Sequence, residues 1–174
     1  MKKKLPAVLL AVLLLVCIGF WQACKIPTWV STVEGIAEIV VPIASQVAGI
    51  VDPAAAPIAQ EVVAAFQVFI KALDQYKSSP NATTLQAVQA AFATAAANVQ
   101  NLENSINLTG HVPEVVTSVL ALVSTAVNEI ANALPTTATT AKLRAAPPRH
   151  FSGDDIKAQF NALTAKHPQL HAIP

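Results

Sequence analysis

The most regular apolar pattern of the chain lies in residues 82–107, ATTLQAVQAAFATAAANVQNLENSIN. Its apolar residues recur at alternating intervals of three and four, the spacing that places side chains on one face of an α-helix. Gly110 follows the stretch and is typical of a helix end. The segment therefore predicts a long amphipathic helix whose buried face holds Leu85, Val88, Phe92, Ala95, Val99, Leu102 and Ile106.

The same periodicity recurs in three other segments, residues 31–50, 53–77 and 113–134. The connections between the four segments are short, so consecutive helices should run antiparallel. We therefore predict an all-α fold, an up-down four-helix bundle with a short C-terminal amphipathic helix. Because their stripes are the most regular, we expect the third and fourth helices to form the most secure hairpin.

The first of these helices is the least regular. Ser31 and Glu34 have the spacing of a capping box, so the helix should begin there. Pro42 falls inside it, and we expect a kink or break near Val41, because proline lacks the N–H and clashes with the preceding turn. Its apolar face is wide around residues 39–43, as in helices that oligomerise or lie against a bilayer.

Composition and charge exclude some classes of function. Only 5% of the 174 residues are aromatic and 12% are charged. Residues 26–134 hold two lysines and eight acidic residues, a net charge of −6, whereas residues 135–174 hold five basic and two acidic residues, a net charge of +3. No basic stripe with interleaved aromatic residues occurs, so we expect no binding of nucleic acid.

The N-terminus has the pattern of an export signal. Three lysines follow Met1, and residues 5–20 are apolar throughout. A charged n-region followed by an apolar h-region is typical of a signal peptide, which takes no part in the fold. We therefore assign residues 1–23 to a signal peptide or membrane anchor and residues 24–134 to the helical bundle.

The sequence Trp21-Gln22-Ala23-Cys24 resembles the end of a bacterial lipoprotein signal peptide. In that family a small residue precedes an invariant cysteine, and Ala23 and Cys24 match this pattern. Trp21 departs from it, since that position usually holds an aliphatic residue. The resemblance implies that Cys24 is lipidated and becomes the first residue of the mature chain. Two or three acyl chains would then hold the protein at a bilayer.

Two other interpretations of the N-terminus stay open. Residues 5–23 are long enough to cross a hydrocarbon core as an uncleaved anchor. Ordinary signal cleavage after Ala23 would instead release a soluble protein, although Trp21 fits the small-residue requirement poorly. All three interpretations place the body outside the cytoplasm, because the N-terminal lysines stay inside. After residue 24, no run of 18 uncharged apolar residues predicts a second membrane span.

The C-terminal region divides into two parts. Residues 135–150 show no periodicity and are typical of a linker. Residues 151–174 form a short helix and tail, in which Ser152–Asp155 resembles a helix cap and Ile156, Phe160 and Leu163 share one face. A helix this short does not fold alone, so we expect it to dock on the bundle. Residues 167–171 are expected to form a loose end.

The sequence offers few candidates for chemistry. It contains no nucleophile elbow, P-loop, H-E-x-x-H or C-x-x-C motif. Glu34 and Glu38 lie on one helix face, and His111 lies three residues before Glu114, but both arrangements fit a solvated surface. The tail histidines suggest at most a weak metal site. A third group of carboxylates could converge in the core: Glu61, Glu103 and Glu129.

We therefore predict no catalytic residue, no cofactor and no metal ligand. The protein is predicted to be a non-enzymatic, membrane-anchored lipoprotein of the bacterial cell envelope, with Cys24 as its lipidation site. Its helical body would serve as a structural or interaction module, with an unidentified envelope protein as a possible partner. The alternative is a helical bundle that acts on membranes or binds an apolar ligand.

Overall fold

The computed structural model describes residues 26–51, 53–108, 113–135 and 152–174. In these residues the chain forms five α-helices and no strand, which confirms the predicted all-α class. The predicted signal segment 1–23, Cys24 and residues 136–150 of the predicted linker lie outside them. The helices are α1 (Thr28–Ile50), α2 (Ala56–Ser78), α3 (Ala82–Leu108), α4 (Glu114–Ala133) and α5 (Gly153–Thr164).

Contacts between side chains give the directions of the first three helices. Lys77, at the end of α2, contacts Glu34 near the start of α1, so these two helices run antiparallel. Asn98, in the second half of α3, donates a hydrogen bond to the carbonyl oxygen of Glu61 near the start of α2. The second and third helices are therefore antiparallel as well.

The helices differ in how many other helices they pack against. The first helix packs against α2, α4 and α5, whereas α3 packs closely on α2 and touches α4 only slightly. Gln89 near the start of α3 donates to the carbonyl oxygen of Pro135 just beyond α4, so this pair is also antiparallel. The expectation that the third and fourth helices form the most secure hairpin is wrong, because their seam is the least extensive of all the packed pairs.

The expected start of α1 is also wrong, and of the kink or break expected near Val41 the break does not occur. The helix begins at Thr28 and not at Ser31, whose hydroxyl donates to the Thr28 carbonyl oxygen at 2.9 Å and caps nothing. The helix also continues through Pro42 without a break. A proline removes one hydrogen bond from a helix. Here Val40 and Ile43, on either side of it, are both fully buried, and this packing holds the two halves in one helix.

The other long helices end where the sequence signals lie. In α2, Pro57 occupies the first turn, where its missing N–H is harmless, and Pro80 follows the last turn. At the start of α3, Asn81 Oδ1 accepts from the Thr84 N–H at 2.9 Å, and Thr84 Oγ1 accepts from the Asn81 N–H at 3.1 Å. This reciprocal pair satisfies two N–H groups that the helix itself leaves without partners.

A single apolar core joins the helices. All buried residues in the described part of the chain are hydrophobic. The predicted stripes supply most of them, and Phe66, Phe69 and Phe92 form a chain of ring contacts between α2 and α3. On α3 the buried members of the predicted stripe are Val88, Ala95, Val99, Leu102 and Ile106.

The C-terminal helix docks on the rest of the fold, as predicted. Ser152 and Asp155 form a capping box at its start, and Ile156 and Phe160 are fully buried against α1 and α4. Because Gly153 lies beside residue 35 of α1 and residue 171 lies beside residue 46, α5 runs parallel to α1.

Residues 167–171, which were expected to form a loose end, are ordered, so this expectation is wrong. The Gln46 side chain of α1 accepts from the His171 N–H and donates to the His171 carbonyl oxygen, both at 2.7 Å. Asn161 holds the backbone of Ile173 in the same two-way manner. Leu170 and Ile173 are buried, so apolar burial and backbone hydrogen bonds fix the tail.

Candidate functional site

The predicted lipidation site lies outside the described residues, but its distance along the chain from the fold is known. The description begins at Ile26, and α1 begins at Thr28, four positions after Cys24. Apart from this short stretch, no spacer separates the predicted anchor from the folded body. The start of α1 is therefore only four positions from the predicted lipidation site.

We call the end of the body that holds Ile26, Trp29, Tyr76 and Lys77 the tether end. The rings of Trp29 and Tyr76 pack at a centroid distance of 5.3 Å and an interplanar angle of 40°. Both rings are half-buried, whereas Ile26 is 46% exposed. The tether end therefore presents an aromatic pair and an exposed aliphatic side chain beside the start of the chain that leads from Cys24.

Lys77 adds a paired positive charge to the tether end. Its Nζ lies 2.6 Å from a carboxylate oxygen of Glu34 and 3.2 Å from one of Asp74. The hydrogen bond to Glu34, followed by the one to Asp74, raises the pKa of Lys77 above its ordinary value. This lysine therefore stays protonated and forms ion pairs with both carboxylates at the surface. Glu34 serves this ion pair, while Glu38 lies exposed one turn further along α1.

The three carboxylates considered for a convergent site lie in different surroundings. Glu61 lines a groove between α2 and α3 that contains neither of the other two. Glu103 accepts a hydrogen bond from the Ser124 hydroxyl across the seam between α3 and α4. Glu129 lies half-buried on α4. Glu61 and Glu103 therefore lie at different seams, and in the described part of the chain the three carboxylates do not form one cluster.

The histidines are similarly dispersed. His111 and His150 lie outside the described residues, and Glu114 is exposed in the first turn of α4. There its charge interacts favourably with the helix dipole. His171 is held through its backbone, and in the described part of the chain no group of three His, Cys, Asp or Glu side chains is placed to hold a metal ion.

A shallow groove between α2 and α3 has a volume of about 310 Å³. Val68, at its edge, is 57% exposed and is one of two large apolar side chains exposed in the described residues, the other being Ile26. Alanines leave the space that forms the groove, and its walls are largely apolar. The residues that line it are Glu61, Ala64, Ala65, Val68, Ala91, Thr94 and Asn98.

A second crevice, of about 290 Å³, lies where α5 crosses α1. A Cβ atom at Gly153 would lie 2.8 Å from the Gly35 carbonyl oxygen and 2.8 Å from Ile39 Cδ1, so only glycine permits this approach. At the same helix start, hydrogen bonds from the Ser152 backbone and then its hydroxyl lower the pKa of Asp155. The polar groups at this crossing serve the docking of α5.

Three of the described helices, α1, α2 and α4, are long and apolar enough to cross a membrane. The sequence pattern predicted no second span, because no run of 18 uncharged apolar residues follows residue 24. Helical windows that tolerate up to two charged residues meet the length and hydropathy of a span. In the described fold, however, 39–44% of the residues in these windows are buried among the helices.

The features that bear on function are therefore the predicted anchor, the tether end, the groove between α2 and α3, and an apolar core. Neither the carboxylates nor the histidines of the described part are gathered into one cluster. Comparison with protein-family models, with curated proteins and with solved structures finds no match for this chain.

Proposed function

We propose that the protein is a non-enzymatic lipoprotein of the bacterial cell envelope, held at a membrane by acyl chains on Cys24. The observation that carries this proposal is the junction of two features. A signal segment ending in Ala23-Cys24 leads, within four positions, into a helix whose apolar residues pack in the core of the body. An anchor followed at once by a folded body is the arrangement expected of a tethered module.

For the architecture, we propose an up-down bundle of α1 to α4 to which α5 is added as a short amphipathic helix. Support comes from the antiparallel contacts between consecutive helices and from the packing of α4 on α1, which brings the last long helix back to the first. Packing of this kind needs short connections and apolar faces of similar length.

The body is proposed to act as a structural or interaction module whose partner is another envelope protein. The described core is apolar, and the ionisable side chains are spread over the outer surface. Catalysis requires several polar groups that converge on one reacting atom. The positions of Glu34, Glu61 and Glu103 on separate seams favour a surface that binds over one that catalyses.

The proposed location is the outer side of a membrane, with the N-terminal lysines on the cytoplasmic side during export. Residues 5–23 as an uncleaved anchor would give the same placement of the body. Cleavage without lipidation would release it. These alternatives differ in the covalent state of Cys24 and can therefore be separated by chemistry at this one residue.

Metabolic labelling with palmitate tests the proposal directly. The protein would be expressed in a bacterium as wild type, as Cys24→Ser and as Cys17→Ser. Cys17, the other cysteine of the chain, lies inside the apolar segment and serves as the matched control. We expect label in the wild type and in Cys17→Ser, and none in Cys24→Ser. Equal labelling of the wild type and Cys24→Ser, or no labelling of any form, would contradict lipidation at Cys24.

A second candidate function is binding of an apolar ligand or direct action on membranes. It is favoured by the groove between α2 and α3 and by the three helices whose length and composition suit a bilayer. Flotation of the chain from Lys25 onward with liposomes separates the two functions. A module that depends on its lipid anchor stays at the bottom of the gradient, whereas a membrane-active bundle floats.

A further inference from the structure

We propose that the tether end rests on the bilayer at the level of the lipid headgroups, so that the body stands on the membrane through Ile26, Trp29 and Tyr76. This inference rests on the proposed function, because it takes the membrane anchor as given. It adds the contact surface and the orientation of the body, which the anchor alone leaves open.

The first argument is the length of the tether. Cys24 and Ile26 are two residues apart, and two residues of extended chain span at most about 7 Å. Acyl chains on Cys24 lie within the hydrocarbon core, so the cysteine itself lies at the membrane surface. The exposed side chain of Ile26 is then within one side-chain length of the headgroups, and no spacer lifts the body away.

The second argument is the chemistry of the surface beside the tether. Tryptophan and tyrosine prefer the boundary between hydrocarbon and water, because each combines a large apolar ring with one polar group. The rings of Trp29 and Tyr76 pack at a centroid distance of 5.3 Å, and Ile26, three positions before Trp29, is 46% exposed. The tether end therefore has an aliphatic side chain and an aromatic pair, which are the side chains suited to contact with the headgroup region of a bilayer.

The charges at this end indicate which lipids matter. Lys77 is neutralised by Glu34 and Asp74, so the tether end has no excess positive charge in its described part. Attraction to anionic lipids needs unpaired basic residues near the surface. The described part of this contact is therefore apolar and aromatic, and vesicles of zwitterionic phosphatidylcholine test it without attraction of anionic lipids to the basic residues outside that part, such as Lys25.

The other exposed apolar site lies away from this surface. Val68 precedes the end of α2 by ten residues, which is about 15 Å along the helix at 1.5 Å per residue. The groove that Val68 borders therefore faces the space beside the membrane. Val68 and Ile26 form a matched pair, since both are exposed and apolar and only one lies at the tether end.

Trp29 can report the contact itself. The chain has two tryptophans, so Trp21→Phe leaves Trp29 as the sole tryptophan whether or not the signal segment is removed. The full protein, extracted from bacterial membranes, would be placed in phosphatidylcholine vesicles whose acyl chains carry bromine near the headgroup. We expect blue-shifted Trp29 emission and at least two-fold quenching by the brominated lipid.

Two further variants give the control. In the same background, Ile26→Asp should reduce the quenching of Trp29 by more than half, because a carboxylate resists transfer to the interface. Val68→Asp should leave the quenching unchanged. Both positions are exposed, so neither substitution disturbs the core.

A second readout uses single thiols. Ala82 lies at the start of α3, at the tether end, and Gln60 lies near the opposite end of α2. The 18 positions from Gln60 to Ser78 at the tether end correspond to about 27 Å at 1.5 Å per residue. A nitroxide attached to Ala82→Cys should lie at the lipid surface, whereas one on Gln60→Cys should remain fully accessible to a water-soluble relaxation agent.

The possible outcomes distinguish the proposed contact of the tether end with the headgroups, here called the seat, from the lipid anchor on Cys24. Protein that sediments with membranes but shows unquenched Trp29, and equal aqueous accessibility at positions 60 and 82, would overturn the seat and leave the anchor standing. Protein that is recovered unacylated and free of membranes would overturn both. Quenching at Trp29 that is lost in Ile26→Asp and kept in Val68→Asp would support the proposal.

Discussion

The first and third helices differ in a way that the sequence pattern does not reveal. The third helix has the cleanest apolar stripe, yet it packs closely only on α2 and has a slight contact with α4. The first helix has a proline in its middle and an untidy, wide apolar face, yet it contacts α2, α4 and α5. A narrow regular stripe suits a helix with few neighbours, and a wide one suits a helix surrounded by several.

The number of helices packed against α1 explains why its apolar face is broad. The sequence suggested a face for oligomerisation or for a bilayer, whereas in the structure α1 packs against α2, α4 and α5. Ile36, Val40, Ile43 and Val47 are fully buried. The first helix is therefore both the centre of the core and the element nearest the proposed anchor.

The largest predicted effect on the free energy of unfolding comes from replacing one buried side chain of α1, or one of α3, by alanine. Ile36 on α1 is 0% exposed and Leu102 on α3 is 1% exposed. Replacing a buried isoleucine or leucine by alanine costs about 2–5 kcal/mol, depending on how far the neighbours close the cavity. We expect Ile36→Ala to lower the free energy of unfolding by about 4 kcal/mol and Leu102→Ala by about 2.5 kcal/mol.

Urea unfolding of the body followed by circular dichroism would measure both values. The helices around α1 are held on several sides and have little freedom to collapse, whereas α3 has room to move towards its loosely packed seam. Equal losses, or a larger loss for Leu102→Ala, would show that α1 is no more central to stability than α3.

A pair of glycines provides the next test, since both lie at the crossing of α1 and α5. A Cβ at position 153 would press on the Gly35 carbonyl oxygen and on Ile39, whereas a Cβ at position 35 would meet nothing within 4 Å. We expect Gly153→Ala to destabilise the protein by about 1–3 kcal/mol through overpacking. Gly35→Ala should stabilise it by about 0.5–1 kcal/mol, because alanine favours the helix interior.

Thermal unfolding of both variants gives this comparison. The decisive result is a loss of stability in Gly153→Ala and a gain in Gly35→Ala. These opposite signs are expected only if the backbone approaches α1 closely at residue 153 and not at residue 35. If Gly153→Ala were neutral, α5 would not pack on α1 as closely as the structure shows.

The hold of Gln46 on the C-terminal tail predicts a smaller effect. Gln46→Ala removes two hydrogen bonds to the His171 backbone, each with a net value of about 1 kcal/mol. We expect faster hydrogen exchange of the His171 amide and a loss of stability of about 1–2 kcal/mol. Gln67→Ala, at an exposed position on α2, should change neither quantity. Unchanged exchange at His171 in Gln46→Ala would contradict the proposed hold.

The smallest effect concerns pH. The hydrogen bond to Glu34 raises the folded-state pKa of Lys77 above its ordinary value of 10.5. A raised lysine pKa contributes stability that is complete below the unfolded value and is lost as the pH rises through the folded value. The stability difference between the wild type and Lys77→Met should therefore shrink above about pH 10.5, as unfolding at several pH values would show. A difference that stays constant through this range would mean that the pair adds nothing.

The helical class and most of the buried residues could be predicted, because apolar residues at alternating intervals of three and four indicate which face of a helix is buried. The cap at Ser152–Asp155 was also predictable, since its hydrogen bonds are local. The neighbours of each helix were not. Periodicity reports that a face is covered and carries no information about which helix covers it.

The contacts that sequence reasoning missed join residues far apart in the chain. Gln46 and His171 are 125 positions apart, and the Trp29 and Tyr76 rings meet across two helices. Neither contact leaves a local signal. The capping box predicted at Ser31 failed because the helix begins at Thr28, so that Ser31 lies inside it, and Glu34 pairs with Lys77.

The intact mass of the protein purified from bacterial membranes shows whether a lipidated Cys24 tethers the body. We expect the mass of residues 24–174 with two or three added acyl chains, and a change of that mass in Cys24→Ser. A full-length mass without acyl chains would contradict it and would make residues 5–23 a membrane-spanning anchor.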